Sequence, residues 1–240
     1  MSTGVAVVLA ATLVVAAGVQ GLVGLGLGLV SAPVVALVAP QLMPQLLLWL
    51  ALLMPLVTLL REHHDIDWRG LGWSLPSRIP GTAIGVVLVA SMSTAALGLL
   101  VGIMVLLSVL LTARAVVVPV NRSTLATAGF VSGITGTTTS IGGPPMALLY
   151  QHRSPSQIRS TLALYFIGGA GLSLTGLAMA GAVQRSTFFL ALSMVPALIL
   201  GFGVSRLLVH RVHPEHIRSG VLVVCALSAV VVLVRSLLSL

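Results

Sequence analysis

The run Gly133-Ile-Thr-Gly-Thr-Thr-Thr-Ser-Ile-Gly-Gly-Pro-Pro145 places four consecutive hydroxyl residues, Thr137, Thr138, Thr139 and Ser140, inside an apolar segment spanning residues 123–150. Such a run with paired Gly and Pro predicts a broken helix, running from about Thr124 to Gly136 and restarting near Ser140. Thr139 or Ser140 is the expected N-cap, with proline in the first turn. A restarted helix points free N–H groups and the positive end of its dipole into the break, and neighbouring hydroxyls complete an anion-binding arrangement. Gly142 and Gly143 belong to the same tip. A second tip is expected from Gly24, Gly26, Gly28 and Ser31 ahead of Pro33, with Gln20 adding an amide. The plainer alternative is that the glycines only let helices pack closely. That suffices for Gly81 with Gly85 and for Gly98 with Gly102, but it leaves four hydroxyls unexplained.

Arg78 is the other residue with chemical consequence. It lies well inside an apolar segment, where an arginine costs about 2.5–3.5 kcal/mol on insertion scales. Either it snorkels toward the 61–69 link or it faces a path for an anion. Glu62, His63, His64 and Asp65 could ligate a metal in principle, but adjacent side chains on a short link rarely converge. The same holds for His210, His213 and His216, so no metal site and no cofactor are expected. Neither a nucleophile elbow nor a His-Glu-x-x-His helix nor a nucleotide loop is present. With no base inside an apolar segment, no catalytic residue is assigned and the chain is not read as an enzyme. All four acidic residues, Glu62, Asp65, Asp67 and Glu215, fall in links. Transport would then be uncoupled, or coupled through a proton on the substrate or a cation held by backbone carbonyls.

These residues must be positioned by helices in a bilayer. Of 240 residues 58% are hydrophobic and 7% charged, against roughly 25% charged in soluble domains. Apolar segments cover about residues 4–38, 44–60, 70–90, 94–118, 123–150, 161–182, 187–209 and 217–238. Most reach about 20 residues, enough to cross about 30 Å of hydrocarbon, and no strand-like alternation runs through them. The chain reads as one all-α polytopic transmembrane domain. Its +8 formal charge comes from twelve arginines scattered singly between apolar blocks. That is the pattern of topology determinants rather than a nucleic-acid surface. The single Cys225 excludes an intramolecular disulfide, and the apolar N-terminus lacks the basic start of a signal peptide.

The two halves echo each other. Gly21, Gly24 and Pro33 match Gly133, Gly136 and Pro145 at a displacement of 112, and Pro76 with Gly81 matches Pro196 with Gly201 at 120. This predicts an internal duplication, with repeat 1 at about 1–118 and repeat 2 at about 121–240. If every segment crosses once and the 61–69 link is inside, six arginines lie inside and five outside. If residues 123–150 form a re-entrant hairpin instead, nine lie inside and two outside, the bias expected of cytoplasmic links. By the duplication residues 4–38 form a hairpin too, and an odd number of crossings then inverts the second half. The expected fold is two inverted repeats, each one re-entrant hairpin plus three transmembrane helices; the alternative is eight simple spans.

The glycine series Gly129, Gly133, Gly136 followed by Gly142-Gly-Pro-Pro145, with Arg159 fourteen residues on, resembles the second-half signature of the sulfite exporter TauE/SafE family of probable membrane transporters. The first-half glycine cluster and Asp67-Trp68-Arg69 are also similar. The resemblance implies a multi-pass permease of the cytoplasmic (inner) membrane for small sulfur-containing or organic anions such as sulfite or sulfonates. The chain departs from the pattern in having Thr137-Thr-Thr-Ser140 where Gly and apolar residues are usual, and in lacking a first-half Gly-Gly pair. Richer hydroxyls suggest a more polar or larger oxyanion than sulfite. The expected partners are a small anionic solute and the lipid bilayer, with no nucleic acid; a homo-oligomer is allowed. A permease for a cation or neutral solute, an intramembrane enzyme and a structural membrane protein are the rival readings.

Overall fold

The computed structural model describes residues 2–23, 26–60, 64–113, 118–208 and 214–239. Among them are ten α-helices: α1 (Thr3–Val23), α2 (Leu27–Val38), α3 (Gln45–Leu59), α4 (Trp68–Ser91), α5 (Thr94–Ala113), α6 (Arg122–Thr139), α7 (Gly143–Tyr150), α8 (Pro155–Met179), α9 (Arg185–Leu208) and α10 (Pro214–Leu238). One 3₁₀ turn, Pro40–Leu42, precedes α3. Five helices are long and apolar enough to cross a membrane: α1, α5, α8, α9 and α10. α4 is 24 residues long but carries Arg78, Pro76 and Pro80 within it.

Links end the helices where short polar residues supply caps. Asp67 accepts from the Gly70 N–H at 2.8 Å to start α4. Asn121 and Thr124 form a reciprocal capping box on α6, and Ser154 caps α8 ahead of Pro155. At its other end α2 gives the Leu37 carbonyl to Arg235 of α10, at 2.6 Å, a cation placed where the dipole is negative.

The polarity of the bundle is that of a protein in lipid. Phe189, Ile199, Leu200 and Leu207 on α9, and Val223, Leu227, Val231 and Leu237 on α10, all face outward. Ser31, Ser74, Arg78, Ser132, Thr137, Thr138, Thr139 and Ser173 are buried instead. A soluble monomer rarely exposes apolar patches beyond a few hundred Å², whereas in lipid polar side chains turn inward and bond across helices. Thr137 Oγ1 and Ser173 Oγ do so at 2.8 Å.

Each half runs in the same order, a long helix, a break, a shorter helix, then three more. α4 packs along α6, and α9 packs along α1; α3 meets α8, and α5 meets α10. Exchanging the halves leaves this pairing unchanged. Glycine makes the two long crossings close. A Cβ on Gly81 would collide with the Phe130 carbonyl of α6, and one on Gly201 with the Val14 carbonyl of α1. Gly98 and Gly102 admit Ser236 and Leu233 of α10 in the same way.

Candidate functional site

Both broken helices turn inward, and their tips touch. α1 ends at Val23 and α2 starts at Leu27, whose N–H is accepted by Gln20 Oε1 at 2.9 Å. Gln20 thus satisfies the first free amide of α2 from a turn away. In the second half α6 continues through Thr137, Thr138 and Thr139 before Ser140 turns left-handed, with φ of 61°. The Ser140 N–H closes the helix on Gly136 O at 3.0 Å, and its Oγ donates to Pro44 O at 2.9 Å. α7 restarts at Gly143 with Gly142 as N-cap. A Cβ on Gly28 would strike the Ser140 carbonyl oxygen, so only glycine permits the tips to meet here.

This differs from the expected break. The threonines do not stop the helix because Thr137 bonds across to Ser173 and the other two bond within it. Thr138 Oγ1 donates to Ile134 O at 2.8 Å and Thr139 Oγ1 to Thr135 O at 2.7 Å, the back-bonding that makes Ser and Thr tolerable in a helix. Neither Thr139 nor Ser140 is an N-cap. Pro144 and Pro145 occupy the second and third positions of α7, and proline has no N–H, so the first three positions of that helix offer the Gly143 N–H alone.

Between the tips lies a partly open cavity of ≈ 90 Å³. Gln20, Gly26 and Gly28 line it from the first half, and Gly136, Ser140, Gly142 and Gly143 from the second. Arg78 lines it from α4. The remaining wall is apolar, including Leu48 and Pro55 of α3, Phe166 and Ala170 of α8 and Leu222 of α10. Of the other predicted site residues, Thr137, Thr138 and Thr139 are buried in helix–helix contacts and do not line the cavity. Ser31 sits one turn along α2, fully buried and away from it. Gly24 lies outside the described residues, as do Glu62, His63, His210 and His213. Among the described residues no cluster of His, Cys, Asp or Glu could hold a metal.

Arg78 does not snorkel. It stands ten residues, about 15 Å, into α4 and is 3% exposed. Nη1 donates to Ser132 Oγ at 2.9 Å, and the guanidinium lies 5.1 Å from the centre of the Tyr165 ring. Ser132 in turn donates to the Gly142 carbonyl, so the cation is braced against the second tip. Nε has no hydrogen-bond partner among the described residues. The close α4–α6 crossing explains the reach, since a Cβ on Gly133 would stand 2.8 Å from Thr82 N. No acidic residue occurs between Trp68 and Pro214 or before Arg61. Asp67 is one helix end away, where its carboxylate accepts from Tyr150 Oη at 2.8 Å and its own N–H donates to Thr161 Oγ1 at 3.0 Å. That hub joins the starts of α4 and α8 to the end of α7.

Ser132, Tyr165 and Phe166 were not marked by sequence. Ser132 precedes Gly136 by one helical turn and so shares its face, a signal that spacing could have supplied; nothing local distinguishes Tyr165. The buried, braced arginine borders the cavity between the two helix breaks. The sequence matches the family described as sulfite exporter TauE/SafE over residues 9–232. The chain belongs to that family. No curated protein and no solved structure gives a significant match. Membership in the TauE/SafE family makes this a membrane protein of a transporter family, in keeping with its outward apolar faces.

Proposed function

We propose that the protein is a secondary transporter or facilitator for a small sulfur-containing or organic anion, such as sulfite or a sulfonate, in the cytoplasmic membrane. The anion lies between the two tips and meets Arg78. One observation carries this reading: the buried Arg78, with an unpartnered Nε and no acidic residue anywhere between Trp68 and Pro214, lines the cavity that the tips enclose. A site for a cation would not place its one charge there. Gln20, Ser140 and the first turn of α2 supply polar groups beside it. The hydroxyl cluster does not, so the larger and more polar oxyanion expected from Thr137–139 gives way to a compact anion that tolerates apolar walls.

The chain is two inverted repeats with re-entrant first segments. The symmetric pairing of helices supports the duplication. So does the meeting of the tips at Gly28 and Ser140, positions displaced by the same 112 residues as the glycine landmarks. The arginine distribution supports the inversion. Residues 1–118 and 121–240 are the units, and no catalysis is assigned.

A thermal-shift screen of the purified protein against sulfite, sulfonates, thiosulfate and carboxylates tests the anion reading. A ligand at 100 times its Kd stabilises by about 2.7 kcal/mol, a readily measured rise in Tm. Stabilisation by cations alone, with every anion inert, sinks the proposal.

A further inference from the structure

Arg78 has consequences for the empty protein as well as the loaded one. Its Nη1 and ring contacts leave the net charge uncancelled, and the cavity lining offers polar groups such as Gln20 and Ser140 but no anionic side chain. While the mouth is open, water reaches only the small part of Arg78 that is exposed. In alternating access the mouth must close before the opposite side opens. In that occluded intermediate an empty site holds a dry cation facing no anionic side chain, whereas a site holding one singly charged anion is neutral overall. The dry interior strengthens both the cost of the lone charge and the attraction of the pair.

Resting on the anion reading above, we infer that the protein is an exchanger of singly charged anions. The site crosses the membrane loaded, one monoanion outward for one inward, and the empty site is held back by Arg78. A dianion leaves the occluded site with an uncancelled negative charge and is excluded for the same reason, so sulfite crosses as bisulfite. No inorganic cation is needed, because each half-cycle moves a neutral pair. No acidic or histidine side chain lies in a helix interior between Trp68 and Val209 to supply or remove a proton.

The experiment uses the full chain in liposomes containing potassium sulfate, with valinomycin to clamp the potential. Uptake of labelled bisulfite, ethanesulfonate and propionate is followed with and without 10–20 mM (about a hundredfold over tracer) of the same unlabelled anion inside. Internal monoanion is expected to accelerate uptake of at least one of them about a hundredfold, the factor set by the insertion cost of a lone arginine. Internal sulfate alone is expected to give no acceleration. Equal uptake with and without internal monoanion overturns the exchange inference and leaves the anion reading standing. Acceleration by internal sulfate overturns the charge rule. Folded protein that takes up none of the three under either condition overturns both this inference and the reading on which it rests.

Discussion

Replacing Arg78 with Met separates a structural arginine from a binding one. Methionine is similar in length and apolar, so the side-chain volume beside Tyr165 is largely kept. The substitution loses the bond to Ser132, about 1.5–3 kcal/mol for a charged donor, and the ring contact, about 0.5–2 kcal/mol. It also removes a charge whose burial costs several kcal/mol. Ser132 keeps its own bond to the Gly142 carbonyl, so no acceptor is orphaned at the tip. The two effects nearly cancel, and the empty variant should match wild-type stability within about 2 kcal/mol or exceed it.

Anion binding should behave oppositely. Two charge-assisted hydrogen bonds lost at about 1.5 kcal/mol each weaken Kd by about a hundredfold or more. The assay is isothermal titration or ligand-induced thermal shift, with the unliganded Tm as the stability reading. An Arg78→Met protein that binds the anion within about threefold of wild type refutes the assignment of Arg78 as its counter-charge. A protein that loses Tm steeply while unliganded shows that the guanidinium serves folding instead.

Gly136→Ala puts a Cβ 2.5 Å from Arg78 Nη2; the flexible guanidinium must swing away, so anion affinity should fall at least tenfold while Tm changes little. Gly81→Ala instead meets the fixed Phe130 carbonyl, and overpacking there should cost about 1–3 kcal/mol, seen as a lower Tm. Thr138→Ala removes only in-helix bonds to Ile134 O and Thr135 O, so Kd should stay within twofold; a tenfold loss would restore the hydroxyl run to the site. In a Cys225→Ala background, single cysteines at Ser123 and Gln151 should react with an impermeant maleimide from one and the same side, since re-entry returns the chain to where it started. Labelling from opposite sides eliminates the hairpin.

The break in the second half was legible because Gly142-Gly-Pro-Pro145 cannot extend a helix whatever surrounds it. Its start was not legible. Threonine is a poor helix former in isolation, yet in lipid Thr138 and Thr139 find their partners in the turn below, and the helix runs three residues further than composition suggests. The turn falls on Ser140, a non-glycine residue in the left-handed region, which local propensity disfavours. Tertiary contacts hold it there, the Pro44 carbonyl and the facing Gly28 among them. The glycine landmarks were readable for the opposite reason. Gly81 and Gly201 answer a local steric demand that the same spacing expresses twice. The inward placement of Arg78 needed the structure, because depth along a helix says nothing about which face a side chain takes.

On the duplicated reading the site owes its function to a departure from symmetry. The displacement that takes Pro76 to Pro196 and Gly81 to Gly201 takes Arg78 to Leu198, which is 4% exposed. Leu198 borders a separate groove of ≈ 190 Å³ between α3 and α9, walled by Met54, Val57, Ile199 and Phe202. The scaffold therefore repeats while the cation does not. A symmetric pair of arginines reaching the tips would present two positive charges and suit a dianion. With leucine at the repeat-related position, the cavity between the tips has the single charge of Arg78 in its lining. Substituting Leu198 should alter that separate groove without touching the charge or the cavity between the tips.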